Sequence, residues 1–71
     1  MNNDIQKKAE ELVDNLNETL RILSELKIHE LTHEFTQEQI QNAKTRTMMT
    51  NALIENIRNC VVAAKRIRSL L

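Results

Sequence analysis

The chain has 71 residues with no glycine, no proline, one cysteine and one aromatic residue, Phe35, the composition of long helices joined by a short turn. Ten basic and ten acidic side chains cancel, so no global field draws the molecule toward nucleic acid or an anionic membrane. A lone cysteine excludes an intramolecular disulfide, and a domain this small then gains stability chiefly by association.

Asn3 is the expected N-cap of a first helix, with Gln6 placed to reach back to it and Asp4 suited to the positive helix end. Ile5, Ala9, Leu12, Val13, Leu16, Leu20, Leu23 and Leu26 recur at steps of three and four and predict a single buried stripe. Lys7, Glu11, Asp14, Glu18, Arg21 and Glu25 form the solvated face. Leu31 leaves the stripe, and His29, Thr32, His33 and Glu34 are polar, so the helix should end near residue 31 or 32.

Thr36 followed by Gln39 spells a capping box, and Phe35 before it with Ile40 after it spells a hydrophobic staple, which together set a second helix start at Thr36. From there to Leu71 nothing breaks the helix, and Lys65, Arg66 and Arg68 complement its negative end. Its apolar residues fall in two parallel rows. One is Ile40, Ala43, Thr47, Thr50, Ile54, Ile57, Val61, Ala64 and Leu71; the other is Met49, Leu53, Cys60, Ala63, Ile67 and Leu70. Together they span roughly 160° of the helix, more than the roughly 100° stripe that one neighbouring helix covers. The first row is expected to face helix 1. The second is the expected partner-binding surface, for a helical protein or for another copy of the chain.

Residues 1–35 carry eight acids against four lysines and arginines, a net −4, and residues 36–71 carry six against two, a net +4. That complementarity favours folding one half back on the other. A short turn about residue 34 or 35 would place residue i beside residue 70 − i, setting Asp4 and Glu10 near Arg66 and Arg58.

His29-Glu30-Leu31-Thr32-His33 has the H-e-x-x-H spacing in which two histidines one helical turn apart bind zinc and the glutamate activates water. A catalytic site also needs a third ligand and a walled cleft. Glu55, the downstream glutamate, would fall roughly 21 Å from His29 in the hairpin, and Glu34 and Glu38 sit at a turn without walls. Two solvated histidines and no hydrolysis are therefore expected, with no metal and no cofactor. Cys60 has Arg58 nearby but no histidine, and reads as a packing residue of the second row rather than a reactive thiol. The basic cluster from Arg58 to Arg68 could meet phosphate, but the one aromatic ring is committed to the staple and helix 1 is acidic, which argues against nucleic acid. Met48 and Met49 suit an adaptable packing surface. The longest apolar run, Cys60 to Ala64, is far short of the roughly 18 residues of a membrane span. With no signal-peptide pattern at its start, the chain is expected in a reducing cytoplasm.

Ala52-Leu53-Ile54-Glu55-Asn56-Ile57 followed by Cys60-Val61-Val62 resembles the Ala-Leu-Glu-x-x-Ile run, and the branched aliphatics behind it, of the small type III secretion needle-protein chaperones of the YscE type. The resemblance extends over the whole hairpin pattern, while the His29 to His33 segment and the basic C-terminus have no counterpart in it. It implies a cytoplasmic helical hairpin that docks on a larger helical-repeat co-chaperone, the pair keeping a secreted needle subunit unpolymerised. The sequence thus predicts one all-α domain over residues 1–71: an antiparallel two-helix hairpin, helix 1 about 3–32 and helix 2 about 36–71. The function it predicts is non-enzymatic. Either the hairpin binds a helical partner as a chaperone subunit, or it self-associates into a four-helix bundle, possible forms of which include RNA-binding and regulatory ones.

Overall fold

The computed structural model describes residues 2–32 and 35–71. It is an all-α hairpin of two helices, α1 (Asn2–Thr32) and α2 (Gln37–Leu70), packed along each other. Asn2 is already helical, so α1 begins ahead of Asn3 and the expected Asn3 cap is an interior residue of the first turn. Asp4 lies in that turn, where a carboxylate is favoured by the helix dipole.

The second helix starts where the sequence places it. Thr36 is extended, with φ −68° and ψ 166°, and its carbonyl accepts from the backbone N–H groups of Gln39 and Ile40 at 3.0 and 3.1 Å. The Gln39 side chain reaches back and accepts from the Thr36 N–H at 3.0 Å, the return arm of a capping box. Phe35 and Ile40 line one open groove of about 450 Å³. At the other end the Leu71 N–H closes on the Arg68 carbonyl at 3.3 Å.

Each helix contributes to the core at alternating steps of four and three, the packing of an antiparallel coiled coil. On α1 these positions are Ala9, Val13, Leu16, Leu20 and Leu23, followed by Lys27 and Glu30. On α2, Ala43, Thr50, Ile54, Val61 and Ala64 are buried, with Thr47 and Ile57 half-buried between them. The first predicted row of α2 is therefore the one turned toward α1, except at its two ends, where Ile40 and Leu71 are exposed. The predicted α1 stripe was too wide: Ile5, Leu12 and Leu26 are exposed, because one facing helix covers only the narrow seam of an antiparallel pair. The core is built of small and branched residues, and among the described residues no side chain is wholly shut from solvent.

The register also differs from a simple fold-back. Arg46 meets Glu30 across the helices, so facing residues sum to 76 rather than 70, a shift of about 9 Å along the axis. Thr36, just ahead of α2, is extended. In this register the first turns of α2 overhang the end of α1. The hairpin is 56 Å long, more than the roughly 47 and 51 Å that helices of 31 and 34 residues would span unstaggered. In this register Arg58 pairs with Glu55 of its own helix at 3.7 Å, and the expected neighbours of Asp4 and Glu10 move up the chain.

Candidate interaction face

Viewed down the hairpin, the two antiparallel helices wind in opposite senses, so a residue at the same offset from the core falls on the same flank in both. Residues just after the second core site of each heptad are Glu10, Asn17, Ser24 and Leu31 on α1, and Lys44, Asn51, Arg58 and Lys65 on α2. Ser24, Leu31, Asn51 and Arg58 do line one shared groove of about 460 Å³. Apart from Leu31, this flank is polar.

The opposite flank is different in kind. It carries the residues just before the first core site of each heptad: Ile5, Leu12, Thr19 and Leu26 from α1, with Arg46, Leu53, Cys60 and Ile67 from α2. Ile5 is 52% exposed, Leu12 43%, Leu26 50%, Leu53 49% and Ile67 51%. Each is thus half in contact and half bare, the condition of a shoulder rather than of an outward surface. Met49 and Leu70, one turn further out, are exposed at 64% and 78%. Ala63 and Cys60 are exposed as well.

All six predicted partner-binding residues, Met49, Leu53, Cys60, Ala63, Ile67 and Leu70, therefore lie outside the core on one side of α2. The pattern of α2 alone concealed the contribution of α1. Ile5, Leu12 and Leu26 read as core because their spacing fits a helical stripe; only the heptad offset, every seventh residue ahead of a core site, separates them from it.

Comparison with protein-family models, with curated proteins and with solved structures finds no match to this chain.

The H-e-x-x-H segment begins in the last turn of α1. Glu30, its would-be base, is clasped by Arg46, Nε to Oε1 at 2.7 Å and Nη2 to Oε2 at 3.2 Å. The Glu30 side chain is 10% exposed, and the Arg46 guanidinium sits 5.7 Å from the centre of the Phe35 ring, within range of a cation–π contact. The hydrogen bond to Glu30 raises the pKa of Arg46 above its ordinary value, so the guanidinium is charged at any accessible pH. His29 is exposed, and His33 lies outside the described residues. Among the described residues no three His, Cys, Asp or Glu side chains come together as metal ligands, and no helix is long and apolar enough to cross a membrane.

Proposed function

We propose that this protein is a non-enzymatic interaction module that works by docking the apolar flank of its hairpin against a helical protein surface. The observation that carries the reading is the split of α2 into two apolar rows with opposite fates. Ile54, Val61 and Ala64 are buried against α1, while Leu53, Ile67 and Leu70 stand exposed beside them. Water pays no premium for keeping leucine and isoleucine in a heptad register on an outer flank; burial against a partner does, at about 25 cal/mol per Å² of apolar surface removed from water. A contiguous run of half-exposed apolar residues contributed by both helices marks an interaction site rather than scattered surface residues.

The concrete form of this reading is a chaperone subunit: a hairpin that docks on a helical co-chaperone and helps keep a secretion needle subunit unpolymerised in the cytoplasm. The sequence resemblance around Ala52 to Val62 supports it, together with the hairpin architecture. Its test is co-expression of the chain with a needle subunit. A soluble complex that is lost in Leu53→Asp supports the chaperone reading, and a needle subunit that polymerises equally with or without the chain sinks it. The second reading is self-association, favoured by the modest core of a single hairpin.

A further inference from the structure

We infer that, in the isolated protein, the apolar flank is covered by a second copy of the chain, giving a two-fold symmetric four-helix bundle. This rests on the reading of that flank as a docking surface and names its occupant. Three observations select a second copy.

The first is the layering. In the register that joins Glu30 to Arg46, Leu26 and Leu53, Thr19 and Cys60, and Leu12 and Ile67 each lie within about 5 Å of one height, in steps of about 10 Å. Large apolar layers thus lie on either side of a small polar one. A two-fold axis running along the hairpin superposes every layer on its own copy: four leucines in one layer, two leucines and two isoleucines in another, and two threonines with two small cysteines between them. Large apolar residues then meet large apolar residues and small meet small, as an isologous interface requires.

Charge selects the orientation. That axis lays α1 of one copy over α2 of the other. The half of the chain at −4 then faces the half at +4, whereas the axis across the hairpin would set like halves together. All four helices run antiparallel to their neighbours.

Area is sufficient. From Ile5 to Leu26 the flank runs about 33 Å, and two helices packed side by side are about 20 Å wide. The footprint is roughly 650 Å² per copy and roughly 1,300 Å² in total, above the roughly 1,000 Å² that a specific interface requires.

Sedimentation of the full chain over a dilution series, read beside its circular dichroism, tests the inference. The expected species has twice the 8.3 kDa mass of one chain. Leu53→Asp and Ile67→Asp should each weaken it at least tenfold, and Asn51→Asp on the polar flank should leave it unchanged. Because an aspartate variant can lose its fold with its partner, the wild-type thiol supplies an independent reading. Cys60 lies in the central layer, so a short bis-maleimide should join two copies through it, and Leu53→Asp should abolish the product. A single-chain mass at every concentration overturns the second copy. So does a dimer that resists both aspartates and does not cross-link through Cys60. A wild-type monomer that stays equally helical as Leu53→Asp leaves the flank open for another protein; a wild-type monomer that unfolds on Leu53→Asp removes the docking reading itself.

Discussion

Arg46 of α2 grips Glu30 of α1 through two hydrogen bonds, 2.7 and 3.2 Å long, an ion pair that joins the two helices. The other pairs, Arg21 with Glu18 and Glu25 and Arg58 with Glu55, are exposed and lie within single helices. The clasp joins the helices in the register that separates this hairpin from a simple fold-back. Arg46→Met should lower the melting temperature modestly, because it takes the counter-charge from the Glu30 carboxylate. Glu30→Met combined with Arg46→Met should recover part of that loss. A double-mutant cycle by thermal melting measures the coupling, and additive single effects would show that the pair does not hold the register.

The heptad offset separates core from flank on both helices. Ile54→Ala, at a buried site, should destabilise the chain by about 2 to 4 kcal/mol. Leu26→Ser, at a half-exposed site, should cost far less helix content in a chain dissociated by dilution. Comparable unfolding by the two changes would place Leu26 back in the core stripe.

At the start of α2, the Gln39 side chain returns to the Thr36 N–H. Gln39→Ala and Thr36→Ala should each lower stability by about 1 kcal/mol. Melting temperatures followed by circular dichroism give the answer, and no change in either variant would mean that the cap does not hold the helix start.

Glu30 is engaged by Arg46 rather than poised over a metal, and this predicts no peptide hydrolysis from the His29 to His33 segment. Stoichiometric zinc retained through purification, with cleavage that disappears in Glu30→Gln, would refute it.

Acid should act weakly on α1. The hydrogen bond from Arg21 lowers the pKa of Glu18 below its ordinary value, so the pair favours the folded state above the unfolded carboxylate pKa. That contribution fades as pH falls through the lowered folded value. Both side chains are solvent-exposed, so the effect is small. The melting difference between wild type and Arg21→Ala should be present at neutral pH and vanish in strong acid; a difference that grows on acidification would reverse the assignment.

Both helices, the turn and the division of α2 into two rows were legible in the sequence, because apolar spacing and the Thr36 to Gln39 cap are local signals. The register was not. It shows in a long-range pair, Glu30 with Arg46, that no local spacing announces. The flank was half legible for the same reason. Leu53 and Ile67 stood out as a second row, whereas Leu12 and Leu26 blended into the α1 stripe and were separated from it only when α2 was set against them.

The strict heptad spacing of both helices limits how such a chain can change in length. One residue inserted in the middle of α2 turns everything after it by about 100°, which would bring the outer row inward and expose Val61 and Ala64. Seven residues added to each helix at the same layer preserve both flanks and extend the hairpin by about 10 Å. Descendants of this hairpin should accordingly grow or shrink in matched blocks of seven, while single-residue changes gather in the connector and at the free ends.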